Sequence, residues 1–211
     1  MYVPKHFQPS DPDAPWGVIA DHGFGTLVTA EAGTAPMASP LPFLARPREG
    51  LLIGHLARAN GQFEILGGRP SSVLVIFQGP SAFVSGGYYR DPAAIPTWDH
   101  VTVHVTGTVR LIDGEAATLR VLQQTVAHFE GRAGSDWRLD VERPDLPAFV
   151  RQVAAFTIEV ERIDAIFKLS QNVDAEQRGR VVAGLLADGH DDVVAAIEAE
   201  NDRRLEPASS R

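Results

Sequence analysis

The chain has 211 residues, 44 % of them hydrophobic and 22 % charged, with a formal charge of −8 and no cysteine. It is too apolar for disorder, and without cysteine it cannot use disulfides, thiolate metal sites or a thiol nucleophile. No apolar run reaches the ~18 residues of a membrane span, and MYVPKHFQPSD carries no signal-type stretch, so a soluble, cytoplasmic protein is expected.

Charge narrows the partners. There are 27 acidic against 19 basic residues and no run of four basic ones, whereas proteins that grip a phosphate backbone usually present a basic face. Direct DNA binding by the isolated chain is disfavoured. Among the 19 basic residues only Lys5 and Lys168 are lysines. Either a compact point-charge donor is wanted there or the composition is simply arginine-biased.

In chain order, a short helix is expected at about 13–22, with Asp11 or Asp13 to cap it and Gly23 to stop it. FGTLVTA (24–30) reads as a strand. A second strand, Met37–Ala45, contains Pro40 and Pro42, which predicts an edge position or a bulge. LLIGHLA (51–57) is a third, and Val73–Gln78 and Ala82–Ser85 read as a fourth and fifth, separated by Gly79–Pro80.

VTVHVTGTVRLI (101–112) is the clearest element. Valines and a leucine alternate with Thr, His and Arg over more than ten residues, so one face is buried and the other polar, with a bend or bulge expected at Gly107. Apolar residues at helical spacing follow over 114–130, then a strand over 155–169 and two helices at about 174–187 and 190–202. Six or seven strands with helices inserted late, and no βαβ alternation, give the α+β class: an antiparallel β-barrel with peripheral helices and a helical C-terminus. The expected organisation is a single domain over 1–205 and a frayed tail at 206–211.

Chemistry-bearing motifs are sparse. Seven histidines are scattered without HxH or HExxH spacing, and no metal site is expected. Ser85-Gly86-Gly87-Tyr88-Tyr89 follows a strand but opens no helix, so it reads as a flexible loop rather than a dinucleotide fingerprint. No catalytic group can be named. Two segments suit anions. In HLARANGQF (55–63) Arg58 and Asn60 stand where a strand gives way to a helical turn, either a phosphate site or the capping of a surface turn. In FKLSQN (167–172) Lys168, Ser170, Gln171 and Asn172 crowd hydrogen-bonding groups together, as a ligand loop or a solvated one would.

MYVPKHF, FGTLVT, LIGHLARAN, VLVIFQGPSAFVS, PTWD, VHVTGTVRLI and FKLSQN occur here in an order that resembles the PaiB-type FMN-binding negative transcriptional regulators. That family is similar to the wider flavin-binding split-barrel group that includes pyridoxamine phosphate oxidases. The likeness runs from residue 1 to about 185. It implies a six-stranded split barrel and a homodimer with FMN at the subunit interface. By position, it assigns Arg58 and Asn60 to the FMN phosphate and Lys168, Gln171 and Asn172 to the C-terminal cofactor motif. It makes Trp98 a ring-edge or packing contact and His104 a flavin contact on the polar face of the long strand.

The chain departs from the family pattern at several positions. The usual Ser-His-Leu-Pro is Ser39-Pro40-Leu41-Pro42, Ser-Pro-Ser-Trp-Tyr is Ser85-Gly86-Gly87-Tyr88-Tyr89, and Asn-Tyr after Trp98 is Asp99-His100. A carboxylate at Asp99 is unfavourable beside a phosphate or reduced flavin if it points inward. FMN is therefore expected to be held more weakly than in the family at large, or not at all. Two function classes follow from the resemblance: a flavin-based sensor or indirect transcriptional regulator, and alternatively an FMN-dependent oxidoreductase.

Overall fold

The computed structural model describes residues 1–68 and 70–205, and the expected frayed tail at 206–211 lies outside the described residues. In chain order the elements are α1 (Ala14–Asp21), β1 (Phe24–Thr29), β2 (Met37–Arg46), β3 (Leu51–Ala57), α2 (Gln62–Gly68), β4 (Ser71–Val84), β5 (Thr97–Leu111), α3 (Glu115–Arg132), α4 (Leu146–Arg151), β6 (Val153–Lys168), α5 (Ala175–Ala187) and α6 (Asp191–Leu205). The six strands close into an antiparallel barrel in the order β1-β2-β3-β6-β5-β4. This is the α+β barrel that the alternation in 101–112 and the late helices predict.

Two expectations about strands need correction. β2 is not an edge: it pairs with β1 and with β3. The Phe43 amide donates to the Gly23 carbonyl, so alternate amides of β2 point at β1 and those of Pro40 and Pro42 would point away. On that other side the ladder to β3 begins only at Phe43, so neither proline leaves an unmade ladder bond. Likewise Gly79–Pro80 does not divide two strands, because β4 runs unbroken from Ser71 to Val84. Gly79 is where β4 comes against β5: a β-carbon there would stand 3.1 Å from the Val101 Cβ. The glycine marks a close approach, not a turn.

The chain forms two compact units. One consists of Ile19–Phe77 and His104–Ile163. Its interior is aromatic: Phe43 meets Phe77 and Phe156 edge-on, with ring centroids 5.5 and 6.1 Å apart. All three rings are buried, and each contributes about 1.5–3 kcal/mol by removing its apolar surface from water. Gly54 makes room for two of them, Phe43 and Phe156. At Gly107, where a bend or bulge is expected, a β-carbon would lie 2.8 Å from Ile158 Cγ2, so the residue is kept small by the approach of β6.

The other unit consists of Met1–Val18, Gln78–Val103 and, among the described residues, 164–205. Its core joins Val84, Val101 and Phe167 with Leu169, Leu185, Val193 and Ile197. Glu200, 1 % exposed, accepts from the Ser10 amide and hydroxyl and from Arg204, which fixes α6 to the N-terminal segment. The glycine-rich stretch read as a flexible loop is a 3-10 turn, Gly86–Tyr89, in which the Ser85 hydroxyl accepts from the Gly87 amide.

Candidate functional site

The residues singled out from sequence fall into two clusters, one in each unit. In the first, β3 ends at Ala57 and the chain turns into α2. The Arg58 amide donates to the Gln152 carbonyl and its Nε to the Val153 carbonyl at 3.2 Å, while the guanidinium lies 5.0 Å from the Phe63 ring centroid. Bonding through Nε orients the fork. Among the described residues neither terminal nitrogen of Arg58 has a hydrogen-bond partner, so two parallel donors remain for a phosphate or carboxylate.

Asn60 is used inside the fold. Its Nδ2 donates to Ser39 Oγ at 2.8 Å, and its Oδ1 accepts from the Gln62 amide at 2.9 Å. Gln62 is fully buried, and its Nε2 is aimed at the Leu27 carbonyl, Thr29 Oγ1 and the Met37 carbonyl, tying the ends of β1 and β2 to the start of α2. The Gln62 Oε1 has no partner among the described residues. Asn60 and Gln62 thus form the frame that holds the Arg58 turn, and sequence reasoning missed Gln62. His104 is half-buried on the face of β5 opposite Val103 and Val105.

The second cluster zips the start of β5 to the end of β6. Lys168 Nζ donates to the Trp98 carbonyl at 2.7 Å and to Thr97 Oγ1, and lies 5.8 Å from the Phe7 ring centroid. Ser170, at φ 55°, donates from Oγ to Asp99 Oδ2 at 2.6 Å. Gln171 closes the turn on itself: Oε1 accepts from the Leu169 amide and Nε2 donates to the Phe167 carbonyl. Asn172 is exposed. Trp98 is 57 % exposed and meets Phe83, 46 % exposed, edge-on at 5.9 Å, which gives an aromatic patch open to solvent. The structure therefore brings Trp98, Lys168 and Gln171 into one neighbourhood.

Asp99 is the unexpected member. It is 1 % exposed, so its carboxylate is enclosed within the fold. Burial pushes its pKa up, opposed by the Ser170 hydrogen bond and by the nearby charges of Lys168 and His100. Burial lowers Lys168, with Asp99 opposing, and lowers His100, where Lys168 adds to the effect. Tyr89 is raised by burial and then by Asp99. Four titratable groups thus share one small region. Among the described residues no group of three or more His, Asp or Glu could hold a metal ion, and no helix is long and apolar enough to cross a membrane.

Comparison with known proteins places this arrangement in a family. Residues 1–162 match the family described as "Putative FMN-binding domain". The "Protease synthase and sporulation protein PAI 2" of Bacillus subtilis is 32 % identical over 177 residues, covering 82 % of this chain and 83 % of that protein. Among solved structures, the FAD and heme binding protein of Mycobacterium smegmatis superposes with a TM-score of 0.61 at 14 % identity, covering 87 % of this chain and 80 % of that one. The flavocytochrome Anf3 of Azotobacter vinelandii gives 0.58 at 13 %, covering 84 % and 78 %. At such identities the structures speak for the fold alone. With more than half of its length matched, the chain belongs to the FMN-binding family that the order of its motifs resembles.

Proposed function

We propose that the chain binds FMN and works as a flavin-based sensor or indirect transcriptional regulator, as a homodimer in which residues 1–205 serve as one cofactor-binding domain. The observation that carries this reading is Arg58: a guanidinium held by its Nε and by Phe63, with both terminal nitrogens unclaimed among the described residues, fits a phosphate monoester. Asn60 and Gln62 hold that turn in place. The exposed Trp98–Phe83 pair fits the face or edge of a planar ring. Lys168, Gln171, Asn172 and His104 complete the proposed contacts, Lys168 through its remaining N–H. Bound flavin would supply the redox chemistry, and the protein would supply position and electrostatics. The name of the Bacillus relative refers to protease synthase and sporulation, which suits a regulatory role.

The purified chain, examined by its visible spectrum and titrated with FMN and riboflavin, tests this reading. Flavin absorbance with FMN held more tightly than riboflavin is expected, and absence of binding to either would sink it. Light scattering should give a mass near twice 22.8 kDa, and a monomer at micromolar concentration would remove the homodimer.

A second reading, an FMN-dependent oxidoreductase, draws on the Asp99, Lys168 and His100 group, since perturbed titratable residues gather where protons are moved. Steady NAD(P)H oxidation above the rate given by free FMN would favour it over the sensor.

A further inference from the structure

α3 packs on β2 and β3 but leaves a cavity of about 380 Å³ between helix and barrel, inside one compact unit. Sites for small molecules span about 300–1,000 Å³, so the space is large enough for one. Its walls are mainly apolar, with Pro42 from β2 and Val126 and Phe129 from one face of α3. The Phe129 Cζ stands 3.2 Å from where a β-carbon on Gly23 would be, so its ring rests against the backbone before β1 instead of filling the space.

Three polar side chains line this apolar space: His55 of β3, and Thr125 and Glu130 of α3. Thr125 is engaged, its hydroxyl donating to the Val121 carbonyl at 2.9 Å. Glu130 is half-buried, and among the described residues its carboxylate has neither a hydrogen bond nor an ion pair. Arg132, two residues on, is paired with Asp21 instead. His55 is in the same condition. Its Nδ1 is enclosed with no partner, and its Nε2 has none among the described residues either. Polar atoms left unmatched in a partly enclosed apolar space cost free energy that a ligand can recover.

We propose that the cavity between α3 and the β2–β3 face binds a small molecule with a flat apolar body and one protonated amine. The amine sits on Glu130, the body lies among Pro42, Val126 and Phe129, and a ring N–H or hydroxyl of the ligand donates to His55. A carboxylate can only accept, so its matching partner is a cationic donor. Burial lowers the His55 pKa, which keeps the ring neutral and spares the amine a like charge. The Phe129 ring favours a planar body against it. The charge of −8 on the chain draws such a cation in at long range. This site is independent of the FMN reading, whose phosphate belongs with Arg58 and would be repelled by Glu130.

Calorimetric titration of the full-length chain with tryptamine, tryptophol and indole-3-propionate tests the proposal, since the three share a ring system and end in a cation, a neutral hydroxyl and an anion. Tryptamine should bind about tenfold more tightly than tryptophol, with indole-3-propionate weakest. Glu130→Gln should bring tryptamine down to the tryptophol level and leave tryptophol unchanged. Val126→Phe should fill the cavity and abolish binding of both; should that variant fail to fold, Glu130→Gln alone decides. No binding of tryptamine at millimolar concentration, or a preference for it that survives Glu130→Gln, would overturn the proposal. FMN affinity and the mass by light scattering should be the same in both variants as in the unmodified chain. A change in either would give the cavity to the flavin or to a second copy, and the proposal would fail. Uptake of tryptamine by a chain that binds no flavin would sustain it and remove the FMN reading.

Discussion

The Arg58 guanidinium lies 5.0 Å from the centroid of the Phe63 ring, and its Nε is bonded to the Val153 carbonyl. An arginine fixed by its nearest nitrogen and by a ring face loses little further freedom when its outer nitrogens engage a ligand.

Arg58→Ala is therefore expected to weaken FMN binding by about 2–4 kcal/mol, more than an exposed ion pair contributes. Riboflavin has no phosphate and should bind the variant almost unchanged. Parallel titrations of both ligands decide the matter. Equal losses for FMN and riboflavin would mean that Arg58 acts through the fold of the β3–α2 turn.

Gly54 on β3 has no room for a side chain. A β-carbon would stand 2.7 Å from Phe156 Cζ and 3.2 Å from Phe43 Cε1, and both rings are fully enclosed. Gly54→Ala should cost about 1–3 kcal/mol through overpacking. For a chain of this length each kcal/mol corresponds to a melting temperature lower by about 2–4 °C. A melting temperature within a degree of the unmodified chain would show that the aromatic cluster shifts freely.

The sequence makes the barrel legible because its evidence is local. The period of two in 101–112 survives in β5, where Val101, Val103, Val105 and Val109 are all buried. What escaped was long-range. Gly79–Pro80 looks like a strand break until Val101 is known to lie against Gly79. Pro40 and Pro42 look like edge markers until the register shows β3 starting at Phe43. α4 was missed because six residues are too few to display a helical period. The site follows the same division. Arg58 and Lys168 stand out by charge and rarity, but the Ser170–Asp99 bond and the three strand-end contacts of Gln62 join residues that only the closed barrel brings together.

His55 on β3 has a buried Nδ1 with no partner among the described residues, and burial lowers its pKa. The folded chain therefore resists a proton that the unfolded chain accepts below about pH 6.5. The contribution of His55 to stability is complete above that pH and is lost as the pH falls from there through the depressed folded value. His100 and His128 are lowered as well and act in the same direction. Urea midpoints between pH 8 and 5 should decline for the unmodified chain and decline less steeply for His55→Leu. The same slope for both proteins would mean that His55 takes up its proton without cost.

A regulator acting through a partner and a direct DNA binder differ in their affinity for duplex DNA. At −8 per chain, a homodimer carries twice that, −16, and repels duplex DNA at long range. A strong local basic patch could overcome this, but Arg58 is proposed to hold the FMN phosphate. Among the described residues, ion pairs tie Arg110, Arg132, Arg143, Arg151, Arg180 and Arg204 to acidic neighbours. Affinity for duplex DNA should be no tighter than the non-specific range of roughly 10⁻⁴–10⁻⁶ M at physiological salt, with little preference among sequences. Fluorescence anisotropy at about 150 mM salt, the physiological ionic strength, measures it. Nanomolar, sequence-selective binding there would make the chain a direct repressor and FMN its effector.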